Sequence, residues 1–368
     1  MQQTIIRDVA MWCVWQPQRN LLSNSYFISR PTGNVLINPV TFSNADYDEI
    51  ARRGGLNWIA ITNGDNKRDA IMCAKHFGAK IAAGEANALK LPIEDVYVLR
   101  GGDEFCGARV IELRGLKAAG DFALHFGDLE AVVVGDVLWG DPAGSLRLAP
   151  EEQFSDPHAA LLSLRRLRAR RPRHILVANG IPIFNNAFET LSSYVDARSE
   201  IYMQRVNVDE LEFVYGKEAQ DFGVSRDAPP YDGGWAEVGY LLGATKLGYA
   251  AAFLKPGQAL CPLHWHTAEE ELCVVLDGTA TVRTLHGDFA LRRGDLISFP
   301  ARQDGAHKLL NDGVSPCILL LVANADSKDV TFYPDSRKIY VDAVGAMVRD
   351  GPQLDYFDGE LVKDPLDS

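Results

Sequence analysis

The stretch His264-Trp265-His266-Thr267-Ala268-Glu269-Glu270-Glu271 sets two histidines either side of a tryptophan and follows them with three glutamates. In an extended strand successive side chains point to opposite faces, so His264 and His266 project together and Trp265 turns away to pack in a wall. Two imidazoles about 6 to 7 Å apart on one strand face form a natural pair of ligands for a single metal ion. Further ligands must then come from neighbouring strands. His307, in PARQDGAHKLLN, is a candidate, whereas His286 falls in an LHGD hairpin turn and reads as a solvent-exposed polar residue. A lone histidine of this kind is ordinarily a hydrogen-bonded core residue; several converging ones are not.

The segments around these residues are strand-like. From Trp235 to Ala323 helical periodicity disappears, and short runs (AEVGYLL, LGYAAAFL, ELCVVLDG, TATVRTL, DFALRR, DLISFP, HKLLN, CILLLVA) alternate with Gly/Asp turns, the pattern of a β-sandwich or jelly roll. The first half is different. Strand candidates NSYFISR, GNVLINP, WIAIT, AKIAA, DVYVLR, ARVIELRG, DFALHF, AVVVGDVL and HILVANG are interleaved with helix candidates over 44–53, 67–77 and 155–170, which predicts a layered α/β domain. The expected organisation is a domain over 1–195, a Pro/Gly-containing linker over 196–234, an all-β domain over 235–345 and a loosely ordered acidic tail over 346–368.

The segment from Gly257 to Asn311 resembles the cupin superfamily, a double-stranded β-helix that binds one metal in its barrel. Gly257, His264, His266, Glu271 and Gly278 match the first cupin motif, with one extra residue before His264. Gly294, Pro300, Gly305, His307 and Asn311 match the second, with a longer interval between Pro300 and Gly305. The resemblance implies a metal site of His264, His266, Glu271 and His307, which leaves Glu269 and Glu270 in a solvated turn. Such a set suits a divalent first-row ion such as Fe, Mn, Zn or Ni without choosing among them. If the ion is six-coordinate, two positions remain for substrate, water or dioxygen. Cys273 shares the alternation of Glu271 and points inward, although a free cysteine is more often a small buried hydrophobe.

A second resemblance covers about residues 20–195. WIAITNGDNKRDAIMCAKHFGAKIAA looks like the metal-binding loop of the metallo-β-lactamase fold, an αββα sandwich whose active members carry HxHxDH there. In this chain those positions read Asn63, Asp65, Lys67 and Arg68. VVVGDVLWGD keeps the bridging aspartate as Asp136, ILVANGIP puts Asn179 where a histidine is expected, and Leu116 takes another histidine position. A dinuclear zinc site needs the missing imidazoles, and Lys67 and Arg68 would repel a cation. The two cations could instead hold an anionic ligand; the plainer reading is a solvated loop in a domain retained for packing or dimerisation.

The remaining signals narrow the function by exclusion. A formal net charge of −12 over 368 residues argues against nucleic acid or anionic lipid as a main partner. The one basic cluster, RRLRARRPR over 165–173, reads as a solvated helix end. No apolar run is long enough for a membrane helix and no secretory signal opens the chain. Six scattered cysteines without CxxC pairing read as reduced thiols, so the expected compartment is the cytoplasm. G-x-S-x-G, P-loop and Rossmann patterns are absent. The expected function is a metal-dependent cupin enzyme acting on a small molecule, dioxygenase-like or isomerase-like, with an inactive first domain and a homodimeric assembly. The alternative is a non-catalytic binding or sensor protein.

Overall fold

The computed structural model describes residues 1–64, 69–93, 95–117, 120–198, 202–221 and 224–359. The chain divides into two compact units, Met1–Arg205 with Leu241–Gly243, and Val206–Tyr240 with Ala244–Ser368. Residues 206–234, within the segment read from sequence as a linker, belong to the second unit. There Val214 bridges to Trp235, and the buried Arg226 guanidinium donates to the Leu260 carbonyl.

In the first unit β1 (Val9–Gln16), β2 (Leu21–Ile28), β3 (Val35–Ile37), β4 (Trp58–Ile61), β5 (Lys80–Gly84), β6 (Val96–Leu99), β7 (Ala108–Glu112), β8 (Phe122–Phe126), β9 (Ala131–Gly140) and β10 (His174–Gly180) form the main pairing path. Their order is β6-β5-β4-β3-β2-β10-β9-β8-β7, with β1 paired to β2. β3 to β6 run parallel, as do β9 and β10. β9 and β10 are buried at every position, which explains their near-continuous apolar sequence.

Helices of eight or more residues among those described cover the two outer faces. α1 (Asn44–Arg52) opens on a capping box: the Asp46 amide donates to Ser43 Oγ and the Ser43 amide donates back to the Asp46 carboxylate. α2 (Ala70–Phe77) begins later than expected, residues 65–68 lying outside those described, and stops at Gly78, whose φ of 66° suits glycine. α3 (Pro157–Ala169) starts where Asp156 accepts from the Ala159 amide, and α4 (Ala187–Asp196) packs beside it. Ile50 of α1 and Cys73 of α2 bury against Phe27, Leu36, Ile59 and Ile81. The opposite face, with Tyr26, Ile28, Val35 and Ile37, meets Val110, Leu124, Phe126, Val133 and Leu176. α3 lies on β7 and α4 on β10, completing an αββα sandwich.

The basic cluster is not the solvated helix end expected of it. Arg165 and Arg170 are only 4% and 6% exposed, the Arg168 and Arg171 guanidinium groups lie over the Phe188 ring, and Arg168 donates to Ser192. The Arg168 side chain thus spans from α3 to Phe188 and Ser192 of α4.

The second unit is built from antiparallel strands: β11 (Leu247–Leu254), β12 (Trp265–His266), β13 (Glu271–Asp277), β14 (Thr279–Thr284), β15 (Gly287–Arg292), β16 (Leu296–Phe299), β17 (His307–Leu310), β18 (Cys317–Asn324), β19 (Val330–Tyr333), β20 (Lys338–Val341) and β21 (Ala346–Arg349). They form sheets ordered β11-β18-β13-β16, β15-β14-β17 and β12-β19-β20-β21, with Gly234–Ala236 adding to the edge of β11. Together they make the double-stranded β-helix. AEVGYLL is not one strand: only Gly234–Ala236 is extended, and Val238–Leu241 forms a helical turn. Part of the expected loose tail is ordered, since Ala346–Arg349 pairs with β20. Ala252, Leu254, Val275, Val282, Leu309 and Leu319 fill the core, and Cys273 sits among them fully buried. Burial raises the Cys273 thiol to about 12, so it behaves as a small hydrophobe.

Candidate metal centre

Short backbone pairings bring the three histidines together. His264 lies just before β12 and exchanges backbone hydrogen bonds with His307 at 3.1 and 2.9 Å. Their ring centroids are 4.5 Å apart, and those of His264 and His266 5.0 Å apart. Trp265 turns the other way, as the alternation requires, and stacks on Phe332 at 4.3 Å. Glu271 opens β13 and sends its carboxylate toward the same point.

The glycines and asparagine of the two motifs shape the turns between these strands. At Gly305 an added Cβ would lie 2.0 Å from the Pro300 carbonyl oxygen, so only glycine fits. The longer interval from Pro300 to Gly305 is accommodated by a 3₁₀ turn over Gln303–Gly305, preceded by Arg302 at φ 116°. The Arg302 amide donates to the His266 carbonyl at 2.7 Å, tying this turn to β12. Asn311 is fully buried, donates to the Leu254 and Ser315 carbonyls and accepts from the Gly313 amide.

The hydrogen bonds of the rings decide which nitrogen is offered. His264 Nδ1 lies 3.0 Å from the Pro262 carbonyl, His307 Nδ1 2.9 Å from the Gly305 carbonyl, and His266 Nδ1 2.7 Å from an Asp329 carboxylate oxygen. Each partner is an acceptor, so each Nδ1 carries hydrogen and each neutral ring keeps its lone pair on Nε2. All three Nε2 atoms face Glu271 Oε2, at 3.6 Å from His264, 3.4 Å from His266 and 3.1 Å from His307. The ligand atoms of His264, His266 and Glu271 fall within 4.8 Å of one another.

This arrangement is poor for a protein alone. His266 Nε2 and Glu271 Oε2 are buried with no hydrogen-bond partner, and lone pairs pointed at a carboxylate repel it. Positive charge at the centre relieves the conflict. Burial would raise the Glu271 pKa, but the three histidines hold it well below the usual carboxylate range. Burial opposes charge on His264 and His266 as well, yet Cys261 and Glu271 raise His264 and Glu271 raises His266. His307 goes the other way, lowered by burial. The donor set of three imidazoles and one carboxylate, with its buried unpaired atoms, fits a divalent transition ion.

Two residues beside this centre differ from expectation or escaped it. Glu269 is not solvated: its side chain is 19% exposed, it accepts from the Asp326 amide at 2.8 Å, and burial raises its pKa. A turn residue that receives a neighbouring backbone donor is drawn inward. Asp329, 3% exposed, holds His266 from 63 positions away, and no local motif marks it. His286 is exposed in its hairpin turn, as expected.

In the first unit the corresponding position is built from amides. Asn179 donates to Asp136 at 2.5 Å and accepts from Ser23, while Asn38 pairs with Thr62. Asn63, Asp136 and Asn179 are buried, and Leu116 is an apolar residue bridged to Phe154. Asp65, Lys67 and Arg68 lie outside the described residues, so the anion-site idea has no geometry here. Among the described residues, the groups of three or more His, Cys, Asp or Glu close enough to share an ion lie in the second unit.

The family model of the metallo-beta-lactamase superfamily matches residues 1–197. The chain belongs to that superfamily. A cupin domain model matches residues 252–323, within the second unit. Among solved structures, a metallo-beta-lactamase from Pontibacter korlensis is similar at 15% identity, with a TM-score of 0.44 over 53% of this chain and 96% of that one. A sugar phosphate isomerase of the cupin superfamily from Silicibacter pomeroyi is similar at 23% identity, with a TM-score of 0.35 over 41% of this chain and 97% of that one. No match was found among curated proteins. No described helix is long and apolar enough to cross a membrane.

Proposed function

We propose that the cupin unit binds one divalent first-row transition ion through His264, His266, Glu271 and His307, and that the chain is a small-molecule metalloenzyme of dioxygenase-like or isomerase-like type. One observation carries this reading: three Nε2 atoms converge at 3.1 to 3.6 Å on a buried Glu271 oxygen that has no donor of its own. A bound ion would supply Lewis acidity at a substrate oxygen. The chain's own residues do the positioning. The Nδ1 contacts to Pro262, Asp329 and Gly305 hold the rings in one tautomer, and the Glu271 charge offsets that of the ion. Phe299 stacks on His307 at 3.5 Å and Tyr333 on His264 at 5.9 Å, keeping water from those faces. The chain's acidity favours a small substrate over nucleic acid.

The first unit is proposed to be hydrolytically inactive, because Asn63, Leu116 and Asn179 replace imidazoles that a dinuclear site requires. Elemental analysis of purified protein tests the metal reading. One first-row metal per chain is expected in the parent and none in the His264→Ala, His307→Ala double variant; equal metal in both defeats it. Oxygen uptake by the Fe(II)-loaded protein across catechols, hydroxy acids and thiols then separates the oxygenase form of the reading from the isomerase form.

A further inference from the structure

Beyond the segment 252–323 that matches the cupin domain, the chain returns to the centre: Tyr333 stacks on His264, Thr331 Oγ1 lies 3.4 Å from His266 Nδ1, and Asp329 makes the shortest contact with a candidate ligand. Asp329 Oδ2 accepts from His266 Nδ1 at 2.7 Å and from Thr331 Oγ1 at 3.2 Å. Its other oxygen, Oδ1, accepts from the Ala268 amide at 2.8 Å, from Thr267 Oγ1 at 3.2 Å and from the Glu269 amide at 3.3 Å. A single carboxylate therefore orients the ring of His266 and also shapes the backbone turn that separates His266 from Glu271. The strand is locked in place on both sides of it. The Thr267 amide donates to the Val330 carbonyl at 3.1 Å, the Val330 amide returns a bond to Thr267 Oγ1 at 2.9 Å, and Trp265 stacks on Phe332.

We infer that Asp329 is a positioning residue for the metal site, and that β19 is a working part of that site rather than a decorative addition to the barrel. The inference rests on the metal reading proposed above. Without its partner, the His266 ring is free to turn about its Cβ–Cγ bond and carry Nε2 away from the point where the other ligands meet. A carboxylate on Nδ1–H also increases electron density at Nε2, and removing such partners costs about 10- to 100-fold in metal affinity. A residue that merely capped the turn would affect stability and leave the ligand field alone.

The test uses the full-length metal-free protein, with Zn(II) affinity measured by competition against a chromophoric chelator and the visible bands of the Co(II) form recorded. Asp329→Ala is expected to lose about 10- to 100-fold in Zn(II) affinity. Asp329→Asn, which keeps the shape but sets an amide N–H against His266 Nδ1 and so favours the tautomer with hydrogen on Nε2, should lose at least as much; the Co(II) bands should shift in both variants. The melting temperature of the metal-free Asn variant should stay close to that of the parent. If the parent binds Zn(II) and the variants match it in affinity and Co(II) spectrum, the inference is overturned and the metal reading stands. If the parent binds no Zn(II), the metal reading falls and the inference with it. Should Asp329→Ala not fold, the isosteric Asn variant decides on the same criteria.

Discussion

Asn311 shows how a residue can serve the centre without touching it. It joins the Leu254 and Ser315 carbonyls to the Gly313 amide in a place with no solvent. Asn311→Ala leaves these groups buried and unpaired, and should cost about 3 kcal/mol in denaturant unfolding of the second unit. At Gly305 the constraint is steric. Gly305→Ala drives a methyl into the Pro300 carbonyl and is expected to cost at least about 2 kcal/mol. Because the Gly305 carbonyl also holds His307, metal per chain should fall in the same variant, as elemental analysis would show. At this scale the motif residues were legible in the sequence, since their types suit tight turns and the proposed ligation. Asp329 and the inward Glu269 were not, because each is defined by a partner brought near only by folding.

At the scale of elements, strand β8 carries a group whose protonation opposes the fold. His125 is buried, and burial first, with Arg170 second, lowers its pKa to about 3. Between that value and about 6.5 the unfolded chain binds a proton that the folded chain does not. Its contribution is therefore complete above about pH 6.5 and is lost as pH falls toward 3, amounting to roughly 5 kcal/mol at most. Unfolding free energy of the first unit measured from pH 7 to 4 should drop, and His125→Leu should flatten that slope; an unchanged slope would remove His125 from the account. Most elements were legible from periodicity and turn residues, such as α1 behind its Ser43 cap. AEVGYLL misled because a strand-like apolar run does not specify where the backbone turns. The basic run on α3 misled because charge is usually exposed, and only the folded structure shows Arg165 and Arg170 buried and Arg168 and Arg171 laid over Phe188.

For the whole molecule, two compact units each with its own apolar core predict two unfolding transitions. A metal ion that binds only the folded second unit should raise one transition and leave the other unmoved, so chelator treatment followed by calorimetry should lower a single melting temperature. A downward shift of both would contradict the proposed one-site protein. The sequence by itself determined the class of each half, the candidate ligand types and the loss of imidazoles from the first half, because periodicity and residue chemistry are local properties of a chain. Tertiary structure alone decided that three Nε2 atoms meet one carboxylate oxygen, that Asp329 accepts from His266, and that Asn179 donates to Asp136. Those depend on distances between residues far apart in sequence, which no spacing rule contains.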